Sequence, residues 1–420
     1  MKIKIHRGAR EVGGSCVEIS GKLSTILVDL GLPLDFNREE TTESYLPDSV
    51  RSLFHHSGKS ITGVLLSHPH LDHYGLAGEL PPDTPVYCGR ASWDLMKATV
   101  QFSLNNYSLP EVRHFNDREK FKLGEFTITP YLMDHSAFDS YSFLISGRAV
   151  NVFYSGDFRG HGRKSRLLAK LPDLLPEIDA LLMEGTLVGN RNEEIQSSES
   201  DLEDEFVKVI DQTQGITLVT TASQNIDRLV TIFRAAKRCN RLFVIDFYTA
   251  EILDILKQYG KLPNAEWPRI RVCYPRFLAR QFEKNGNENI LNRHRKNGIR
   301  WTRINEKKQK IVMLVRPGFI ADIKRFLDLD NAVWIYSMWL GYFERSSSLR
   351  KLKSFFLEQG VNYKYLHTSG HARITDLKEF VRKVSPKKII PIHSFHPEQY
   401  HEFFDNVQMV ENGEEIEISS

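Results

Sequence analysis

Cysteine is scarce in this chain: Cys16, Cys88, Cys239 and Cys273 are spread over 420 residues. None forms a Cys-x-x-Cys pair, which excludes a disulfide framework and a cysteine zinc site as organising features. A reducing compartment fits that usage, and the expected location is cytoplasmic. Long apolar runs are missing as well. No stretch approaches the ~20 residues of a membrane span, so no membrane partner is expected. Met1-Lys2-Ile3-Lys4-Ile5 alternates like a strand where a signal peptide would carry an apolar core. Internal repeats and low-complexity tracts are absent, which excludes repeat architectures.

What is present describes a globular protein, with 41% hydrophobic and 26% charged residues. The length exceeds one ordinary core, so two domains are expected. Net charge is only +3, but it is uneven. Arg269 to Arg325 holds sixteen Lys/Arg against four Asp/Glu, whereas Glu193, Glu194, Glu199, Asp201, Glu203, Asp204 and Glu205 form an acidic stretch. The basic block suits phosphate backbones; a solvated helical face is the plainer explanation.

Apolar β-rich runs at 24–29, 64–66, 126–132, 141–145, 149–154 and 180–183 predict strands in the first part. Residues 216–220, 225–237 and 242–246 predict a βαβ unit, continued by strands at 311–315 and 333–336 with a helix at 320–327 between them. The expected organisation is a first domain over 1–197, an inserted α/β domain over 198–362, and completion of the first over 363–420. A helix at 376–384 and a strand at 388–392 belong to that last part.

Ser67-His68-Pro69-His70-Leu71-Asp72-His73 places three imidazoles and a carboxylate directly after an apolar run. Imidazole suits zinc, and the carboxylate can serve a second ion. Crowding such groups without a metal is costly. Asp29, His68, Asp157, Glu184 and His393 each follow a β-rich run. Side chains at the carboxyl ends of neighbouring strands converge on one crevice.

His68-x-His70-x-Asp72-His73, His135 and Asp157 resemble the metallo-β-lactamase pattern, and Gly8 to Ser15 resembles its glycine-rich opening hairpin. Glu184 before Gly185-Thr186, His371 in His-Thr-Ser-Gly-His-Ala and His393 in Pro-Ile-His resemble motifs A, B and C of the β-CASP nucleases. The chain is similar to the ribonuclease J family over nearly its whole length. It departs from that family at Glu184-Gly185, where Asp-Ser is common, and at Ser394-Phe395, where Gly-Glu is usual. It also carries Gln224 in place of a serine, and the short stretch after His393 leads to the expectation that the C-terminal domain typical of ribonuclease J is missing.

The resemblance implies a metallo-β-lactamase αββα sandwich with an inserted β-CASP α/β cap domain. It implies two zinc ions per chain, with manganese as the alternative. His68, His70 and His135 would hold one, Asp72, His73 and His393 the other, with Asp157 bridging and Asp29 orienting the loop. His371 would act as general acid, hydrogen-bonded to Glu184, with Asp72 counted among the catalytic groups. His367, Ser369, Gly370, Gln224, Asn225 and Arg159 are the expected substrate contacts. For Gln224 and Asn225, N-capping of the following helix is the equal alternative, and for Arg159 a solvated loop. Trp334, Trp339 and Tyr342 could stack bases, but as aromatics at strand ends they are expected in the core.

The implied activity is hydrolysis of single-stranded RNA, 5′-to-3′ exonucleolytic, endonucleolytic or both. A DNA nuclease and a small-ester or thioester hydrolase are the rival activities. The sequence leaves monomer and homo-oligomer open.

Overall fold

The computed structural model describes residues 1–37, 39–55, 61–102, 108–189 and 197–419. Glu193 and Glu194 of the acidic stretch lie outside them. The chain divides into two compact units, Met1–Glu194 with Gly370–Ser420, and Ile195–Ser369.

The first unit contains two sheets. One comprises β1 (Lys2–Arg7), β2 (Cys16–Ser20), β3 (Thr25–Val28), β4 (Ile61–Leu65), β5 (Val86–Gly89), β6 (Val112–Phe115) and β19 (Glu415–Glu417), in the order β19-β1-β2-β3-β4-β5-β6. The other comprises β7 (Phe121–Leu123), β8 (Phe126–Leu132), β9 (Tyr141–Gly147), β10 (Val150–Tyr154), β11 (Ala180–Glu184) and β18 (Ile389–Ile392), in the order β18-β11-β10-β9-β8-β7.

Alternation along β1, β8 and β10 sends Ile3, Ile5, Phe126, Ile128, Val150 and Val152 into one shared core between the sheets. Each outer face is covered by helices. Leu168, Leu377 and Phe380 cover the second sheet, and Val50, Leu76 and Met96 the first. The result is an αββα sandwich. The opening hairpin forms as expected, with β1 antiparallel to β2.

The second unit is a fully parallel sheet of β12 (Thr217–Thr220), β13 (Leu242–Asp246), β14 (Ile270–Cys273), β15 (Ile311–Leu314), β16 (Val333–Tyr336) and β17 (Asn362–Tyr365). Its order is β14-β13-β15-β12-β16-β17. Burial on both faces explains the near-continuous apolar runs of β12, β15 and β16. Trp334 lies at 0% exposure in its core, as expected. Among the described residues, no helix is long and apolar enough to cross a membrane, and all four cysteines are free thiols.

Candidate metal centre

In the first unit the carboxyl ends of β3, β4, β10, β11 and β18 deliver Asp29, His68, Asp157, Glu184 and His393. Asp29 and His393 both take left-handed backbone conformations (φ 59° and 51°), which turns each chain sharply as it leaves its strand. The loop after β4 is clamped from β3: Leu30 N–H donates to His73 O at 2.8 Å and Leu32 N–H to Leu71 O at 3.0 Å.

Asp29 is fully buried and orients the site. Its Oδ1 accepts from Ser67 N–H at 2.7 Å, and its Oδ2 from Ser67 Oγ at 2.8 Å and Tyr154 OH at 2.7 Å. His73 Nδ1 meets the same Oδ2 at 2.8 Å. That contact fixes the ring and aims Nε2 into the centre.

Four overlapping groups of potential ligand atoms form there, each gathered within 4.8 Å: His68, His70 and His135; His68, His73 and Asp157; Asp72, His73 and His393; and Asp157, His371 and His393. Asp157 lies at the middle, its Oδ2 3.7 Å from His68 Nε2, 3.2 Å from His73 Nε2 and 3.6 Å from His371 Nδ1. His393 Nε2 stands 3.5 Å from Asp72 Oδ2. His135 is held from behind by Gly370 O, 2.6 Å from its Nδ1.

Burial pushes the His68 and His135 imidazoles well below their ordinary pKa, and neighbouring imidazoles add to it. Burial also opposes charge on His73, but the Asp157 and Asp29 carboxylates outweigh it and hold that ring well above its usual value. Burial likewise works against ionised Asp157, yet His393, His73 and His371 hold it well below the carboxylate range.

Three buried atoms here lack a hydrogen-bond partner: His73 Nε2, Asp157 Oδ1 and His393 Nε2. Buried polar atoms are nearly always satisfied. Imidazole and carboxylate donors that converge and remain unsatisfied fit a metal ion.

Beside this cluster, Glu184 is fully buried. Its Oε1 accepts from Ala372 N–H at 2.9 Å and its Oε2 from Thr186 N–H at 3.0 Å. His371 Nδ1 lies 3.6 Å from Glu184 Oε1, an ion-pair separation. Burial would lower the His371 pKa, but the Glu184 and Asp157 carboxylates raise it to about 9.

Thr186, Ser67 and Tyr154 carry no expectation from sequence, yet they hold this centre together. Thr186 Oγ1 sits 3.1 Å from His371 Nδ1 and 2.8 Å from His393 Nδ1. The only sequence sign of Thr186 was its place two residues after Glu184.

Arg159 corrects the expectation of a substrate contact. It is 0% exposed, with Nε 3.7 Å from Asp134 Oδ1. The polar loop around it hid an interior ion pair. Gln224, Asn225, His367 and Ser369 belong to the second unit. Asn225 caps the helix Ile226–Arg238 through Arg228 N–H at 3.0 Å, the capping alternative. His367 Nδ1 lies 3.4 Å from Nη1 of Arg228, whose Nη2 also donates to Thr368 O at 3.1 Å. Arg228 thus ties the segment after β12 to the one after β17.

Comparison with known proteins agrees with this geometry. Residues 46–221 match the beta-lactamase superfamily domain, and residues 360–401 the Zn-dependent metallo-hydrolase RNA specificity domain. The chain is similar to ribonuclease J of Helicobacter pylori, at 22% identity over 100% of this chain and 61% of that protein. It is also similar to the transcription termination factor FttA of Methanothermobacter thermautotrophicus, at 25% identity over 92% of this chain and 66% of that one. The probable RNase MJ4 of Methanocaldococcus jannaschii is 23% identical over 94% of this chain and 93% of its own length. A crystal structure of a protein of unknown function from Enterococcus faecalis V583 superposes with a TM-score of 0.76 at 21% identity, covering 99% of each chain.

The chain spans 61% of the Helicobacter pylori ribonuclease J that it matches. Fold and site define a protein of the metallo-β-lactamase fold. More particularly, the chain is similar over its whole length to proteins named ribonuclease J.

Proposed function

We propose that this chain is a two-metal-dependent nuclease that hydrolyses phosphodiester bonds of single-stranded RNA, as a 5′-to-3′ exonuclease, an endonuclease or both. The observation that carries it is the convergence of six imidazole and carboxylate residues around Asp157 with His371 and Glu184 alongside. The similarity to proteins named ribonuclease J, and to a domain described by its RNA specificity, supports RNA as the polymer.

His68, His70 and His135 would hold one ion, Asp72, His73 and His393 a second, and Asp157 both. The ions are zinc, or manganese at the carboxylate-richer position. When bound, such ions lower the pKa of water and offset phosphate charge. His371 completes the chemistry from the protein side. Its side chain is 22% exposed, so it can meet a strand, and Glu184 and Asp157 keep it protonated. A proton from His371 to the leaving oxygen prevents an alkoxide from departing uncompensated. Thr186 holds the ring in place.

The test uses end-labelled RNA and DNA, each with a 5′-phosphate or a 5′-hydroxyl, digested with zinc or manganese. Mononucleotides released from 5′-phosphorylated RNA are the expected exonuclease product, and internal cuts independent of the end the endonuclease product. Cleavage of DNA alone, or of small thioesters alone, overturns the assignment.

A further inference from the structure

The segment leaving β16 is Ser337-Met338-Trp339-Leu340-Gly341-Tyr342. Trp339 and Tyr342, expected in the core, are instead at the surface. Tyr342 is 42% exposed and Leu340 45%, and Trp339 just before them is half-buried, whereas Trp334 within β16 is at 0%. Exposing Leu340 and Tyr342, and half-exposing Trp339, within four residues costs burial energy that the core would otherwise collect.

The arrangement is held in place. The Trp339 carbonyl accepts from Tyr342 N–H and from Tyr336 OH, both at 3.2 Å. The indole lies against the backbone of Gly341, where a Cβ would come within 2.3 Å of the ring. Tyr342 meets the indole edge-on at 5.5 Å, and the exposed Arg345 guanidinium sits 5.2 Å from its centroid. The following stretch to Lys364 carries Arg345, Arg350, Lys351, Lys353 and Lys364 against only Glu344 and Glu358. This ledge stands at the carboxyl end of a parallel sheet, the end where open α/β sheets bind ligands. It neighbours β17, whose own carboxyl end leads through His367 and Ser369 to His371 in sequence.

We infer that Trp339, Tyr342 and Arg345 form a base-stacking ledge for single-stranded nucleic acid, Trp339 and Tyr342 taking the bases and Arg345 a phosphate. Aromatic faces with flanking cations are the chemistry that holds unpaired bases without regard to sequence. This rests on the nuclease assignment and deepens it: the bound polymer must present unstacked bases.

The test is binding of a fluorescently labelled oligoadenylate to the full-length chain, with chelator present so that the strand stays intact. Trp339→Ala should weaken binding roughly tenfold, and Trp339→Phe should retain most of it. An abasic strand of equal charge should bind wild type and Trp339→Ala alike. Hydrolysis of bis(p-nitrophenyl) phosphate by the metal-loaded variants should equal that of wild type. Unchanged oligoadenylate affinity in Trp339→Ala, or an equal loss for the abasic strand, overturns the ledge while leaving the nuclease intact. If Trp339→Ala fails to fold, Tyr342→Ala, which removes an exposed ring, decides by the same comparison. A wild-type chain that binds no strand overturns the nuclease assignment itself.

Discussion

At His371, as at His73, two carboxylates outvote burial, whereas burial wins at His68 and His135. His68 and His135 are thereby neutral and suited to coordination, whereas His371, with its side chain 22% exposed, is charged and suited to donating a proton. His371→Gln should lower kcat by about 10²–10⁴-fold with bound metal unchanged, measured by turnover and by metal analysis of the same sample. Loss of metal from that variant would make His371 a ligand and not an acid. Arg159 makes a different prediction. Its guanidinium and the Asp134 carboxylate are both at 0% exposure. Asp134→Ala should cost about 3–5 kcal/mol, because it removes a carboxylate partner from a buried cation. A denaturant titration showing less than 1 kcal/mol would mean that other partners of Arg159 suffice.

At the level of elements, the loop that bears His70 to His73 is shaped by its neighbour as much as by itself. Gly31 passes so close that a Cβ there would sit 1.7 Å from the Asp72 carbonyl oxygen, a backbone atom that cannot step aside cheaply. Gly31→Ala should therefore displace the Asp72–His73 turn and cut metal retention and activity together. Full metal content in that variant would refute the clamp. The helix Ile374–Val384 depends on Asp376, which accepts from Arg373 N–H and from Gly160 N–H, both at 3.2 Å. Burial would raise the Asp376 carboxyl, but His161 and Arg373 hold it well below the usual range. A depressed carboxylate stabilises the fold above its unfolded value near 4 and loses that contribution as pH falls through its folded value. Asp376→Asn should flatten the acid limb of the stability-pH curve, followed by thermal melts between neutral and acid pH. These elements also mark what sequence could reveal. β8, β13 and β16 are apolar, β-rich runs with clear flanks, and their observed limits coincide with the expected ones. β7 has three residues, and β17 alternates polar with aromatic residues at a sheet edge, so neither presents a run to recognise. In the site, four ligand-type residues share one loop and announce themselves by density. Thr186, Tyr154 and the Gly370 carbonyl act through hydrogen bonds from distant segments, and hydroxyls and carbonyls leave no spacing signature. Arg159 misled because its partner Asp134 sits on another loop.

At the scale of the molecule, each unit has its own apolar core: one between and outside the two sheets of the sandwich, the other around the parallel sheet. All the residues that would hold the ions lie in the first unit. Calorimetry should therefore resolve two transitions, and removing metal with a chelator should lower only one. An ion present at a hundred times its dissociation constant adds about 2.7 kcal/mol to the unit that binds it. Equal shifts in both transitions, or none, would contradict a metal centre confined to the sandwich. The pairing of β11 with β18 has a further consequence. Leu181 lies beside Ile389 in that pair, and the whole second unit intervenes between them in the chain. His371 and His393 are therefore made last. On a ribosome, the growing polypeptide displays His68 to His73 early, yet it lacks His371 and His393 until the inserted unit has emerged. The cluster around Asp157 is therefore complete only once translation has carried the chain past residue 393.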